Sequence, residues 1–298
     1  MEGRKLMKKR KTELGLQTFF VGPVLIFFVL IMIVPFLLGM YYSLTDWNGI
    51  AKTVNWVGLS NFKTLFTNDT NFWKSFIFTA KFTIVGVVLV NIVGFAFAYL
   101  LTNALKLRNV MRTVFFMPNV IGGLLLGFIW QFIFVKGFDT VYKLTDWSFF
   151  GLAWLGDPTT GFWGIVTVFV WHSAGYLMVI YISSLTNVPK EVVEAAEIDG
   201  ANRWQMLRSI TIPLVMPAVT ICLFLAISWS FKIFDINLSL TAGGPYKSTE
   251  SVAMNIYNEA FQNNRYGLGT AKALLFFVTV AIITLVQVRV TKSKEVEA

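Results

Sequence analysis

The sequence is poor in charged residues and rich in apolar ones. Only 14% of its 298 residues are Asp, Glu, Lys or Arg, whereas 56% are hydrophobic and 16% are aromatic. Soluble domains carry about 25% charged residues, so this composition excludes an ordinary soluble protein. A bilayer core about 30 Å thick needs about 20 apolar residues per spanning helix, and several runs of that length are present. The chain is therefore expected to lie in a lipid bilayer.

Side chains that carry out chemistry or hold metals are scarce as well. The sequence contains one cysteine, Cys222, and one histidine, His172. A single cysteine excludes an intrachain disulfide, and a zinc site would lack its usual ligands. A membrane enzyme would need a cluster of nucleophile and base or of metal ligands, and an ion-coupled carrier would want carboxylates deep in several spans. The sequence shows neither pattern, so we expect no catalytic residue and no metal site.

The long apolar runs predict an all-α integral membrane protein with six transmembrane helices. Helix-breaking glycines at Gly122-Gly123 or Gly127 leave open a break within the third helix. The predicted helices cover residues 19–42, 76–102, 114–135, 162–185, 210–230 and 268–288.

Basic residues beside the apolar runs predict the orientation of the chain. They concentrate in residues 1–18, in the second and fourth connections and in residues 289–298. Because cytoplasmic loops carry an excess of Lys and Arg, both termini are expected to be cytoplasmic. The net charge of +9 is then a topology signal, and no nucleic-acid binding is expected. We expect a basic N-terminal tail (1–18), one six-helix domain (19–288) and a short C-terminal tail (289–298).

The connection between the fourth and fifth predicted helices, residues 188–209, is polar and helix-forming. Gly200 is expected to end a first short helix, and Asn202 to cap a second one over residues 203–208. Acidic residues near the start of the first helix face the positive end of its dipole, and small residues leave room for close approach. Composition fits an ordinary amphipathic loop and a docking element equally well. The candidate docking residues are Glu191, Glu194, Ala195, Ala196, Asp199 and Gly200.

The spacing within this connection resembles a known motif. Glu194-Ala195-Ala196, then Gly200, then Ile210-Thr211-Ile212-Pro213 is similar to the EAA loop of the membrane subunits of ATP-binding-cassette importers, with one Leu-to-Ile departure. Leu240-Thr241-Ala242-Gly243-Gly244-Pro245 resembles the Leu-Thr-x-Gly-Gly-Pro segment of carbohydrate permeases of the maltose and glycerol-phosphate type. The chain is identified as a member of this group, similar to the first of its two sugar-permease subunits.

The resemblance implies a type I importer permease fold and a half-transporter. Its implied partners are a second homologous permease, two copies of a cytoplasmic ATPase, an extracellular sugar-binding protein and the sugar. ATP and Mg would be bound by the ATPases, so this chain itself would hold no cofactor. Glu194 would bond to an ATPase, Ala195 and Ala196 would permit close packing, and Gly200 would turn the chain. The implied location is a bacterial cell membrane, crossed several times.

A substrate path is expected near the middle of the membrane, where aromatic faces and hydrogen-bonding groups meet. Trp171 and Tyr176 match a Trp and Tyr five residues apart in maltose-type permeases, and Ser230 falls where that permease has a ligand-binding asparagine. Interfacial belts and helix packing are the alternative roles for such aromatics. The candidate path residues are Trp171, His172, Ser173, Tyr176, Trp229, Ser230 and Trp130; Thr241, Gly243, Gly244 and Pro245 form a candidate outer-gate loop.

The expected function is thus import of a sugar by alternating access, driven by separate ATPases. A polyol or a glycerol-phosphate-like solute is the alternative cargo, and an ion-coupled carrier is the less favoured mechanism. Lys232 and Asp235 are three residues apart where the fifth predicted helix ends, so they are expected to pair on one helical face. Residues 47–66 and 138–160 are the expected contacts of the binding protein.

Overall fold

The computed structural model describes residues 19–102 and 107–295. Over these residues the chain is helical, and its only β-type pairing is an isolated bridge between Thr45 and Trp56. The helices are α1 Phe19–Tyr42, α2 Ser60–Thr67, α3 Thr70–Thr102, α4 Arg108–Phe116, α5 Gly123–Thr145, α6 Pro158–Thr186, α7 Lys190–Ile198, α8 Arg203–Leu214, α9 Met216–Phe231, α10 Asp235–Leu240, α11 Val252–Tyr257 and α12 Tyr266–Lys292.

These helices form two compact units. The first contains the described residues up to Asn68 together with Asn258–Leu275. The second contains the described residues of Asp69–Tyr257 and those from Phe276 onward. The predicted basic tail, residues 1–18, lies outside the described residues, and α12 extends to Lys292, past the predicted end of the last span at residue 288.

The first unit is held together at the start of α12. The rings of Tyr42 and Trp47 stack at 4.3 Å, and Tyr266 meets Trp47 edge-on at 5.0 Å. Lys272 is fully buried and its Nζ lies 2.6 Å from Glu259 Oε2. A buried charge is stable only when it is paired, so this ion pair fixes the turn that precedes α12.

The second unit is built around α6, which packs along α3 and against α9. Phe82 of α3 and Phe169 of α6 meet edge-on at 5.2 Å. Further along both helices, the Tyr181 hydroxyl donates to Asn91 Oδ1 at 2.7 Å. A hydrogen bond between spans satisfies polar groups that lipid cannot, so this pair joins α3 and α6 within the core.

The third predicted helix is wrong in its bounds, but the break left open at Gly122-Gly123 is present. The structure has α4, a 3-10 turn at Met117–Val120, an extended break at Ile121 and Gly122, and then α5, which ends at Thr145. Pro118 and Gly122 disfavour a continuous helix, and hydropathy alone does not register such a break. Glycine then lets α4 lie against α6, because a Cβ at Gly175 would collide with the Phe115 carbonyl oxygen.

The fifth predicted helix is bent. The pair α8 and α9 meets at an angle of 72° around Val215, with Pro213 and Pro217 on either side. Among the described residues, five helices are long and apolar enough to cross a membrane, and the count is six when this bent pair is one span. The remaining spans agree with prediction to within a few residues, and the all-α class is confirmed.

Candidate functional site

The connection between α6 and α8 folds as its local sequence predicts. α7 spans Lys190–Ile198, and Gly200 follows with φ +79°, a left-handed conformation that glycine adopts without steric cost. Asn202 then caps α8: its side chain accepts from the backbone N–H of Gln205, whose side chain accepts from the Asn202 N–H. This reciprocal capping box fixes the corner between α7 and α8.

A cavity of about 910 Å³ lies beside α7. Four residues of α7 line it at intervals of three and four, which places them on one helical face. The ends of α3 and α6 and the start of α8 form the other walls. The lining includes Lys190, Val193, Glu194 and Glu197 from α7, Thr102 from α3, and Arg203 and Trp204 from α8. The predicted docking residue Glu194 therefore lies at a mouth that carries charges of both signs.

The face of α7 that carries Glu191 and Glu194 also carries an apolar residue, Ile198, which the sequence places on that face but which was not among the predicted docking residues. Ile198 has 86% of its surface exposed, and Trp204 of α8 has 66% exposed. Ile198 is seven residues after Glu191, so the two side chains share one face of the helix. It is four residues after Glu194, which places the two side chains about 40° apart around the helix axis. Its position on the face of Glu191 and Glu194, between Glu197 and Asp199, was the available signal.

A second cavity, of about 630 Å³, lies among α5, α6, α9 and α10. It brings together four of the predicted path residues. The rings of Tyr176 and Trp229 meet edge-on at 5.3 Å, and His172 Nε2 lies 3.3 Å from the Ile121 carbonyl oxygen at the break before α5. The polar and aromatic lining residues are Asn119, His172, Ser173, Tyr176, Ser228, Trp229, Lys232 and Asp235.

The other three predicted path residues do not line this cavity. Five residues of helix turn the chain by about 140° from one side chain to the other, so Trp171 and Tyr176 face different ways. Trp171 lines a separate apolar cavity of about 680 Å³ and contacts the Trp130 ring at 5.4 Å. Ser230 is fully buried and donates to the Ile227 carbonyl of its own helix.

The expected pairing of Lys232 with Asp235 is wrong. α9 ends at Phe231 and α10 begins at Asp235, so the two side chains do not share a helix. Within the part of the chain that the structure describes, no ion pair joins them. Both line the second cavity instead, which gives it one charge of each sign.

The segment with the Gly-Gly-Pro motif follows α10 and is tied down at its base. Asn237, fully buried, donates from Nδ2 to the Thr249 carbonyl at 2.7 Å, and its Oδ1 accepts from the Ser251 N–H at 3.0 Å. Thr249 Oγ1 donates to the Gly244 carbonyl, and the Ser75 hydroxyl of α3 donates to Glu250 Oε2 at 3.1 Å. Buried hydrogen bonds thus anchor the base of the loop, and its role as an outer gate stays a prediction.

This loop and the α7 cavity lie at opposite ends of α3. Ser75, near the start of α3, bonds to Glu250, whereas Thr102, at its end, lines the α7 cavity. At 1.5 Å per residue these two positions are about 40 Å apart. A bilayer with its headgroups is about 40–45 Å thick, so the two features lie at opposite ends of a helix that is long enough to cross one.

Comparison with known proteins decides the family. The model of the binding-protein-dependent transport system inner membrane component family matches residues 91–295. The chain belongs to this family. It is 48% identical over 278 residues to the probable starch degradation products transport system permease protein AmyD of Thermoanaerobacterium thermosulfurigenes, covering 93% of this chain and 94% of that protein. It is 32% identical to the multiple sugar-binding transport system permease protein MsmF of Streptococcus mutans, covering 94% and 96%.

A solved structure has the same fold as this inner membrane component. A chain of a bacterial ATP-binding-cassette transporter that imports the acidic polysaccharide alginate matches it with a TM-score of 0.81 at 19% identity, covering 97% of this chain and 99% of that one. The predicted importer-permease fold and family are therefore confirmed. Because the similar proteins are permease components, the chain is a transport subunit and not itself an enzyme. The cytoplasmic placement of both termini stays a prediction.

Proposed function

We propose that this chain is the permease subunit of a sugar importer that translocates oligosaccharides released from starch. Family membership makes it a membrane component of a binding-protein-dependent importer, and its similar proteins are sugar permeases. The observation that carries the substrate class is the 48% identity to a permease for starch degradation products, spread over 93% of the chain. At that identity we expect the two permeases to share a class of cargo.

The cavity among α5, α6, α9 and α10 supports a carbohydrate. Sugar rings stack on aromatic faces and exchange hydrogen bonds through their hydroxyls, and ligand sites typically occupy about 300–1,000 Å³. Tyr176 and Trp229 supply the aromatic surface, and Ser173 and Asn119 supply donors and acceptors. We assign the sugar path to these residues. A polyol or a glycerol phosphate is the alternative cargo, and the competition assay below separates the two.

The partners are a second homologous permease, an extracellular binding protein and two cytoplasmic ATPases that bind ATP and Mg. α7 is the proposed contact with one ATPase. Glu194 would accept a charged hydrogen bond from the ATPase, and Ile198, on a neighbouring part of the helix surface, would enter an apolar pocket. In this assignment the α7 end of the chain is cytoplasmic, in a bacterial cell membrane.

A continuous stretch of helical chain connects α7 to the sugar cavity. Gly200 turns α7 directly into the capped start of α8, and α8 continues into α9 through the 72° bend. Trp229, near the far end of α9, lines the cavity. We propose that closure of the ATPases on ATP moves α7, that α8 and α9 move with it, and that the cavity then opens outward. Hydrolysis would return the cavity to the cytoplasmic side.

The test is uptake of radiolabelled maltotriose by cells that lack the gene, with and without the chain supplied in trans. Uptake is expected only with the chain, and unlabelled maltodextrins should compete while glycerol phosphate and a polyol should not. A Tyr176→Ala variant should reduce uptake about tenfold, because stacking of one ring on a sugar is lost. Maltotriose uptake that does not depend on the chain contradicts the substrate assignment.

A further inference from the structure

We propose that the apolar cavity between α3, α4 and α6 holds an acyl chain of an anionic phospholipid whose phosphate binds Arg108 and Arg112. The ligand class is a diacyl lipid with a negatively charged headgroup, drawn from the cytoplasmic leaflet. The inference rests on the proposed function for orientation alone, since that assignment makes the start of α4 cytoplasmic. It does not depend on which cargo the importer carries.

The cavity, of about 680 Å³, suits a hydrocarbon chain and not a sugar. None of the described residues that line it is charged, and Thr167 is the one with a hydroxyl group. Leu89, Val93 and Phe97 of α3 line it at intervals of four, in a row about 12 Å long. The hydrocarbon of one leaflet is about 15 Å deep, so most of an upright acyl chain can lie along this row.

The apolar cavity lies on the side of α6 that faces away from the proposed sugar path. Val170 and Ala174 line the apolar cavity, whereas His172 and Tyr176 line the sugar cavity. Helical geometry turns the first pair of side chains about 120–160° from the second pair. A sugar path shared by two permeases faces the second permease. The apolar cavity is therefore directed away from that interface, toward lipid.

The row of apolar residues on α3 leads to the two arginines. Leu101 is the next residue in the row, and its carbonyl oxygen accepts from Arg112 Nη2 at 3.2 Å. Arg108 is exposed and lies four residues before Arg112, on the same face of α4. Phe115, three residues after Arg112, lines the cavity and stacks on Phe97 at 4.3 Å. The arginines and the apolar row thus form one continuous surface, basic at one end.

This basic end lacks carboxylates that would neutralise it. The sequence has no Asp or Glu between Asp69 and Asp139, and no ion pair within the described part of the chain includes Arg108 or Arg112. Arg112 is half-buried, and its Nε is buried with no hydrogen-bond partner among the described residues. A phosphate brings both negative charge and several acceptor oxygens, which the planar guanidinium group binds through paired hydrogen bonds.

The acidic residues of α7 do not take that place. Glu194 and Glu197 line the α7 cavity together with Tyr99 of α3. Tyr99 lies two residues after Phe97, which turns it about 160° around the helix axis. The α7 cavity and the apolar cavity therefore lie on different sides of α3. Anionic lipids of the cytoplasmic leaflet are attracted to basic residues at this depth, so a lipid phosphate fits the vacant role.

A helix of the second permease is the competing occupant. A helix and an acyl chain can both fill an apolar cavity, because an empty one forfeits dispersion contacts. An apolar helix supplies no anion, however, and would leave Arg108 and Arg112 without one. A phospholipid meets both requirements, the apolar row and the basic end.

The first test is native mass spectrometry of the complete complex, titrated with phosphatidylglycerol or with phosphatidylcholine of the same chains. Phosphatidylglycerol should bind about 25-fold more tightly, because each of two basic residues contributes about fivefold. Arg108→Gln should weaken phosphatidylglycerol binding about fivefold and leave phosphatidylcholine binding unchanged. Arg289→Gln is the matched control, since Arg289 is an exposed arginine in the last turn of α12, outside the cavity lining. It should bind phosphatidylglycerol like wild type.

The second test locates the acyl chain. The complex is photolysed with a phosphatidylglycerol that carries a diazirine in one acyl chain, and the cross-linked peptides are sequenced. Cross-links are expected in residues 89–97 and 114–121. Val93→Trp, which fills the middle of the row, should remove them. Val88→Trp, on the same helix but outside the cavity lining, should retain them; Val88 is 52% exposed.

Each adverse outcome has a distinct meaning. Equal binding of the two lipids, or equal losses in Arg108→Gln and Arg289→Gln, overturns the lipid site. Cross-links that avoid both segments, while the second permease can be cross-linked to Val93, also overturn it in favour of a protein helix. Neither test measures sugar uptake, so these failures leave the proposed function intact. Failure of maltotriose uptake, in turn, would not alter either lipid measurement.

Discussion

Truncation of Ile198 tests how α7 engages its ATPase. Ile198→Ala removes three carbon atoms, each worth about 0.8 kcal/mol when moved from water into an apolar pocket. With 86% of the side chain exposed in this subunit, nearly all of that surface is available for burial in the complex. The binding free energy should therefore fall by about 2 kcal/mol, which raises the dissociation constant about 30-fold. Alanine is the better helix former, so α7 itself should remain intact.

The assay is direct titration of the purified ATPase onto the permease pair in nanodiscs, without nucleotide. Val192→Ala is the matched control: Val192 lies on the same helix, 42% exposed, about 120° round the axis from Ile198. Wild type and Val192→Ala should bind alike, with Ile198→Ala far weaker. If Ile198→Ala binds within about twofold of wild type, or if the Val192 variant is weakened equally, the assigned apolar contact is wrong.

Three further predictions follow from the same structure. Glu194→Ala should insert normally yet lose about 30-fold or more in transport, as when one partner of a charged contact is removed; unimpaired uptake would remove its docking role. Gly175→Ala should lower the free energy of unfolding by about 1–3 kcal/mol or more, because the new Cβ collides with the Phe115 carbonyl oxygen. Gly122→Ala is the control: open space surrounds that position, so a thermal unfolding assay should show almost no change. Tyr181→Phe removes the hydrogen bond to Asn91 and should lower the free energy of unfolding in detergent by about 0.6–1.7 kcal/mol. An unchanged free energy of unfolding would show that this bond does not hold α3 to α6.

Short-range chemistry explains what sequence reasoning predicted well. The helix at α7, the turn at Gly200 and the cap at Asn202 each depend on a few consecutive residues. The apolar spans depend only on composition and length. Such features are readable because the determining residues lie next to one another.

Helix ends account for two errors. The third span was predicted to run over residues 114–135, whereas α5 runs over Gly123–Thr145; the break at Gly122-Gly123 was foreseen, but not that the span begins after it. The Lys232–Asp235 pairing assumed a continuous helix where α9 in fact ends. In each case hydropathy does not mark the residue at which the helix begins or ends.

Tertiary packing accounts for the rest. Ser230 is buried by the packing of α9 within its unit, which no local pattern reveals. The bond from Ser75 to Glu250 joins residues far apart in sequence, so the anchoring of the 241–250 loop was not predictable. The separation of Trp171 from Tyr176 was predictable, because helical geometry alone turns residues five apart away from each other.

The most direct test of the whole account is ATP hydrolysis in proteoliposomes that contain this chain, its second permease and the ATPase, with and without binding protein and a panel of sugars. Basal activity should be low and should rise severalfold with binding protein that carries malto-oligosaccharides, but not with glycerol phosphate. A stable, correctly inserted chain that recruits no ATPase, or activity indifferent to loaded binding protein, would contradict it.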